Sequence, residues 1–148
     1  MSRVAIFDTS IFIDYLRAGR HQDKIEQSAA LIRNSSVVLS ELWRGATKSK
    51  EYAFLRLLEK NYPVLTPSEK NWLESGQLLG TIYRENGFSP EKSRNLHFDV
   101  LIVLTAGSYG ARVVASAGIA KSIWIFGETP RGHWREVYDS VDISTAMD

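Results

Sequence analysis

The sequence of 148 residues contains no cysteine, which excludes thiolate catalysis, cysteine-based zinc sites and disulfide bonds. It also lacks an uncharged apolar stretch approaching the roughly 18 residues of a membrane span. Asp8 and Asp14 interrupt the apolar segment near the N-terminus, so we expect no signal peptide. These absences are compatible with the reducing cytoplasm, where we expect the protein to be located.

The charged residues show almost no excess of either sign. Lys and Arg number 18 against 17 Asp and Glu, a formal net charge of +1. This balance does not by itself indicate nucleic-acid binding. The three histidines are far apart in the sequence, and no serine lies in a G-x-S-x-G motif, so neither a histidine-based metal site nor a serine-hydrolase elbow is visible.

Strand and helix patterns alternate along the chain and predict a parallel α/β sheet of about five strands, flanked by helices on both faces. The predicted strands cover residues 3–7, 37–39, 62–65, 112–115 and 122–126. The predicted helices cover 10–19, 23–33, a segment from 40, 51–60, a long helix from Thr66 or Ser68 to residue 86, a turn or short helix at Pro90, and 97–109. We predict a single domain over 1–148, with its core at about 3–126 and an uncertain C-terminal tail at 127–148.

Three acidic residues lie inside or beside apolar stretches: Asp8, Glu41 and Asp99. A carboxylate in such surroundings is costly to desolvate unless a basic partner, hydrogen bonds or a metal ion compensates it. We place Asp8 at the end of the first strand and Glu41 just after the second, at the sheet edge where α/β proteins bind ligands. Asp99 would join them from the first turn of its helix.

Three carboxylates at one edge predict a site for Mg²⁺ or Mn²⁺, with room for a phosphate oxygen. The chemistry of such a site is phosphodiester hydrolysis. For each acid taken singly, a helix cap or a salt bridge is the alternative interpretation. Basic residues near these acids could form a rim that guides a polyanion, but solvated helix faces are the favoured explanation, and the rim alone decides nothing: Arg17, Arg20, Arg44, Lys48 and Lys50.

Three segments resemble the PIN domain family, and especially the toxin ribonucleases of VapBC toxin–antitoxin systems. They are IFDTSIFIDYLR at 6–17, LSELWRG at 39–45, and FDVLIVLTA at 98–106 followed by Gly-Ala at 110–111. Their order and spacing agree with the family over about residues 3–126. The resemblance implies an α/β domain that cleaves RNA with Mg²⁺ or Mn²⁺, usually as a homodimer, and that a small antitoxin inhibits.

The resemblance also implies roles for individual residues. Asp8, Glu41 and Asp99 match the family's three most regular acidic positions. Asp8 and Asp99 would be metal ligands, and Glu41 either a ligand or the group that orients the attacking water. Thr9 and Ser10 would support the loop after the first strand. Trp43 and Trp72 are candidates for a groove that receives an antitoxin segment, with a place in the core as the alternative.

The chain departs from the family pattern at residues 114–121. The family usually carries a further Asp or Asn there, whereas this sequence reads VASAGIAK and retains only the hydroxyl of Ser116. A second metal ion would be held poorly without that acid. The alternative function is therefore a catalytically weak or inactive PIN-like domain that binds RNA or protein. A haloacid-dehalogenase-type phosphatase is rejected, because it needs an Asp where Ser10 stands.

Overall fold

The computed structural model describes residues 4–19, 31–86, 90–114 and 141–142. Within these ranges, five strands form one parallel sheet in the order β3-β2-β1-β4-β5. The strands are β1 (Val4–Phe7), β2 (Leu31–Ser35), β3 (Val64–Leu65), β4 (Arg112–Val114) and β5 (Val141–Asp142). The helices are α1 (Thr9–Ala18), α2 (Ser36–Gly45), α3 (Ser49–Asn61), α4 (Glu69–Asn86) and α5 (Pro90–Ser108). The predicted α/β class with a parallel sheet is confirmed.

Strand β1 lies at the centre of the sheet. Its residue Ile6 is opposite Arg33 of β2 on one side and Val113 of β4 on the other. Ala5 and Ile6 are fully buried, because the strand is covered on both faces and has neighbours at both edges. The residues that follow Phe7 therefore emerge from the middle of the sheet, at its carboxyl edge.

Helix α5 joins two hydrophobic clusters. Leu101, Ile102 and Val103 belong to the main cluster, which includes the sheet and α1, α2 and α3. Other residues of α5 pack against α4 in a second cluster composed of Leu78, Leu79, Leu96, Val100 and Leu104. Because α5 is buried between these two groups, its position relative to the sheet edge is fixed by packing on two sides.

The second strand was predicted at the wrong place. Residues 37–39, expected to be a strand, lie in α2, and the strand is Leu31–Ser35. The Ser35 hydroxyl explains the difference, since it accepts hydrogen bonds from the backbone N–H groups of Val37 and Val38 at 3.2 and 3.4 Å and so begins a helix. The predicted helix at 23–33 is wrong at 31–33, and its residues 23–30 lie outside the described residues.

Helix α5 is longer than predicted. It begins at Pro90 rather than at 97, and Pro is well suited to a first helical position. Asp99 therefore lies well inside the helix instead of in its first turn. The predicted strand at 122–126 lies outside the described residues, whereas β5 lies in the segment predicted to be a tail. Within the described ranges, no helix combines the length and apolarity that crossing a bilayer requires.

Candidate active site

Asp8 directly follows β1 and occupies the N-cap position of α1. Its residue surface is only 5% exposed. Burial raises the pKa of the Asp8 carboxyl, because the charged form loses its hydration. The Ser10 hydroxyl donates a hydrogen bond to Oδ2 at 2.6 Å and opposes this shift, as do the backbone N–H groups of Thr9 and Ser10. The carboxylate is thus held in a fixed orientation at the sheet edge.

Glu41 lies in α2 and is half-buried. Although the prediction placed Glu41 just after a strand, it lies in the second turn of the helix, close enough to Asp8 for the two charges to interact. Burial is the main reason that the pKa of the Glu41 carboxyl is raised, and the neighbouring Asp8 charge raises it further. Hydrogen bonding from Thr9 and the positive charge of Arg44 act in the opposite direction. Asp8 and Glu41 therefore share one electrostatic site.

Thr9 connects the two acids. It is buried beside Asp8, and its Oγ1 donates a hydrogen bond to Oε1 of Glu41 at 2.9 Å. The sequence suggested only a supporting role for Thr9 and Ser10 in the loop. Each hydroxyl instead contacts one carboxylate, Thr9 that of Glu41 and Ser10 that of Asp8. Their position directly after a buried strand that ends in Asp was the only sequence signal for this role.

Asp99 lies on α5 and is half-buried. Its neighbour Phe98 contacts α2, since the Arg44 guanidinium carbon lies 5.5 Å from the centre of the Phe98 ring. Helix α5 therefore runs beside the helix that carries Glu41. Among residues 4–19, 31–86, 90–114 and 141–142, however, no group of three or more His, Asp or Glu residues is arranged to hold a metal ion. Among the three predicted acids, Asp8 and Glu41 are associated through the Thr9 hydrogen bond and through their charges.

The Asp8–Glu41 pair fits a hard divalent cation. Both groups offer carboxylate oxygens, the ligands that Mg²⁺ and Mn²⁺ prefer. The two charges repel each other in a partly desolvated environment, which raises the pKa of Glu41. A bound cation would stabilise both charged forms. Residues 114–121, where the sequence lacks the family's further acid, lie outside the described residues beyond Val114.

A cavity of about 400 Å³ lies between α1, α2 and the start of α3 and reaches Glu41. Three of the five residues predicted to form a basic rim line it: Arg17, Lys48 and Lys50. Arg44 lies over Phe98 instead, and Arg20 is outside the described residues. Part of the predicted basic rim, namely Arg17, Lys48 and Lys50, therefore lines one cavity, and that cavity also reaches Glu41.

The two tryptophans considered for a partner groove differ in their surroundings. Trp43 packs against the main hydrophobic cluster, stacks on Tyr52 at 5.8 Å and donates a hydrogen bond to Glu59 Oε1 at 2.7 Å. Trp72 on α4 is 49% exposed and makes an edge contact with His97. Trp72 therefore remains accessible to a partner, and Trp43 is mostly engaged within the domain.

The sequence profile of the PIN domain family matches residues 5–119. A DNA-bound VapBC complex from Salmonella typhimurium contains a chain 23% identical to this one, with a TM-score of 0.57, over 88% of this chain and 94% of that chain. A chain of VapBC2 from Rickettsia felis, bound to a promoter DNA fragment, is 18% identical, with a TM-score of 0.60, over 86% of this chain and 93% of that chain. A chain of a toxin–antitoxin complex from Klebsiella pneumoniae is 20% identical, with a TM-score of 0.56, over 93% of this chain and 95% of that chain. No curated protein sequence matches.

Proposed function

Because the chain belongs to the PIN domain family, we propose that it is a metal-dependent endoribonuclease that hydrolyses RNA phosphodiester bonds. The observation that carries the proposal is the pair of Asp8 and Glu41. One carboxylate is almost fully buried at the carboxyl edge of the sheet, the other is linked to the first through Thr9, and each accepts a hydrogen bond from a hydroxyl group. Acids arranged in this way are suited to metal-assisted hydrolysis.

Each acidic residue has a proposed role. Asp8 and Asp99 would hold Mg²⁺ or Mn²⁺, and Glu41 would be a further ligand or would orient the attacking water. The cation would supply Lewis-acid polarisation of the phosphodiester and would favour deprotonation of water. Ser10 and Thr9 fix the carboxylates of Asp8 and Glu41 through their hydrogen bonds. Such outer hydrogen bonds orient ligands and reduce the cost of ordering them.

We propose further that the protein is the toxin of a toxin–antitoxin pair. This rests on the likeness to VapBC and toxin–antitoxin complexes, each of which is matched over more than 90% of the other chain's length. The corresponding partners would be an RNA substrate, a small antitoxin protein and a second copy of this chain in a homodimer. The site of action would be the cytoplasm, and the whole of residues 1–148 would form one domain.

The test is cleavage of a mixed RNA pool by purified protein with Mg²⁺ or Mn²⁺. Asp8→Asn removes the negative charge but keeps the side-chain shape, so the fold should remain while the cleavage rate falls by about 100-fold or more. Addition of a chelator should reduce the parent to a similar level. Product size and rate are followed on denaturing gels.

The matched control is Glu69→Gln, which neutralises an exposed acid in the first turn of α4. It should cleave RNA at the parent rate. Equal cleavage by the parent and Asp8→Asn would exclude this site as the source of activity. If the folded parent cleaves no RNA with either ion, the alternative function applies, namely a PIN-like domain that binds RNA or protein without catalysis.

A further inference from the structure

The cavity beside Glu41 has features that the function proposed above does not use. It is formed by α1, α2 and the N-terminal part of α3. Its walls include the apolar side chains of Leu16 and Leu42, and Glu41 lies along the same lining. The cavity therefore reaches Glu41, one of the two associated acids, and whatever occupies it lies next to that residue.

Three cations line this cavity, together with the carboxylates of Glu41 and Glu51. Arg17 comes from the last turn of α1, while Lys48 and Lys50 come from the start of α3. All three are exposed, and in the described part of the chain none of their side chains is engaged in a hydrogen bond or an ion pair. Positive charges from two separate segments thus line one space, where the three cations outnumber the two carboxylates. Such an arrangement concentrates anions at its opening.

We propose that this cavity holds the backbone of the RNA strand next to Glu41, with Arg17, Lys48 and Lys50 each contacting a phosphate. The inference rests on the proposed ribonuclease function and adds to it the path of the substrate. Long cationic side chains around an opening contact phosphates without regard to base sequence and set the position of the strand. The scissile phosphate is then presented to the acids from the α1–α3 side.

The chemistry of the cavity favours RNA over an acidic peptide. An RNA strand carries one negative charge at every nucleotide, so successive phosphates supply a partner for each of the three cations. The half-buried side chains of Ile13 and Leu16 offer apolar contact for sugar and base surfaces between the phosphates. A peptide of mixed composition would have to place several carboxylates at matching intervals to obtain the same charge pairing.

The experiment measures binding of a short fluorescent single-stranded RNA by anisotropy. The parent is compared with the triple variant Arg17→Gln, Lys48→Gln and Lys50→Gln. A chelator removes divalent cations, so a failure of the proposed catalysis leaves the binding result unaffected. The triple variant should bind about tenfold or more weakly at 0.1 M salt. The slope of log affinity against log salt should fall by about 2, since each phosphate contact to a single strand contributes about 0.7.

The matched control removes three exposed cations outside the cavity, in the variant Arg56→Gln, Lys60→Gln and Lys70→Gln. It changes the net charge equally and should retain most of the RNA affinity and the parent salt slope. Circular dichroism confirms that both variants are folded. Equal losses in the two variants, or an unchanged slope in the cavity variant, would overturn the proposal. A glutamate peptide of equal charge that competes as well as RNA would assign the cavity to acidic peptides and overturn it too.

Discussion

Asp8, directly after β1, is a carboxylate in a buried position. Asp residues are rarely fully buried unless they are paired, yet Asp8 is 5% exposed and lies beside a second acid, Glu41. The hydroxyls of Thr9 and Ser10 compensate part of the desolvation. These hydrogen bonds do not compensate the whole cost of desolvation, because the pKa of each carboxyl, that of Asp8 and that of Glu41, remains raised. Without a cation, the site therefore costs the protein stability at neutral pH.

This cost predicts how Asp8→Asn changes stability with pH. A raised pKa in the folded state means that the folded chain binds more protons than the unfolded chain between the ordinary value of 3.8 and the raised value. The parent therefore gains stability as the pH falls through that window, and the penalty is fully present above it. In a chelating buffer, Asp8→Asn should be more stable than the parent at neutral pH.

The measurement is the melting temperature of both proteins from pH 7.5 downward. The advantage of Asp8→Asn should shrink as the pH falls through the raised pKa of Asp8. Part of the pH dependence should persist in the variant, because Glu41 remains and burial raises its pKa as well. If the melting temperature of Asp8→Asn rises further above that of the parent at lower pH, the surroundings of Asp8 do not disfavour its charged form, and the assignment is wrong.

At the scale of single elements, the sequence predicted those helices and strands whose ends carry a distinct chemical signal. Helix α1 ends at Gly19 as predicted, and Gly19 has the left-handed backbone (φ 65°) that glycine adopts at low cost. The start of α4 had two candidates, Thr66 and Ser68. Ser68 takes this role, because its hydroxyl accepts from the Asn71 N–H while the Asn71 side chain accepts from the Ser68 N–H.

The elements that were misplaced have weaker local signals. An unbroken apolar run such as 37–39 fits a buried strand and a buried helical turn equally well, since neither shows alternation. The decision comes from Ser35, which caps α2, and from the pairing of β2 with β1, which depends on contacts distant in sequence. The association of Glu41 with Asp8 was predicted from a strand at 37–39, but these residues belong to α2. It results from the packing of α1 against α2, which a sequence pattern does not encode.

Asn34 of β2 attaches the C-terminal end of α3 to the sheet. It is 2% exposed, and its Nδ2 donates hydrogen bonds to the carbonyls of Leu58 at 2.7 Å and Tyr62 at 3.1 Å. The Leu58 carbonyl also accepts from the backbone N–H of Tyr62 at 3.1 Å, so the Asn34 amide adds a second donor there and supplies a donor to the Tyr62 carbonyl just after the helix. Asn34→Ala should lower the free energy of unfolding by about 1–3 kcal/mol.

Urea denaturation of the parent, Asn34→Ala and Asn34→Asp measures this effect. Asn34→Asp should be the least stable at neutral pH, because it directs a carboxylate at two carbonyl oxygens. Asn61→Ala is the matched control, an exposed Asn at the end of the same helix, and should stay within about 0.5 kcal/mol of the parent. If Asn34→Ala behaves like Asn61→Ala, the amide contributes nothing to the attachment of α3.

At the scale of the whole molecule, the candidate site is built on the most buried part of the fold. Asp8 follows the central strand, Glu41 lies on a helix that contributes Val37, Val38 and Leu39 to the main cluster, and Asp99 lies on the helix shared by both clusters. A ligand bound by these elements connects the sheet to the helices packed on it. Its binding free energy therefore adds to the stability of the folded domain as a unit.

Binding of Mn²⁺ should accordingly raise the melting temperature of the parent. At a concentration about 100 times its dissociation constant, a ligand stabilises the folded state by about 2.7 kcal/mol. For a chain of this size, that corresponds to an increase of about 5–10 °C. Asp8→Asn should gain far less at the same Mn²⁺ concentration. Since this variant is expected to be the more stable protein in a chelator, the order of the two melting temperatures should reverse when Mn²⁺ is added. Equal increases in both proteins would mean that Mn²⁺ binds elsewhere, and that Asp8 is buried for a reason unrelated to a metal ion.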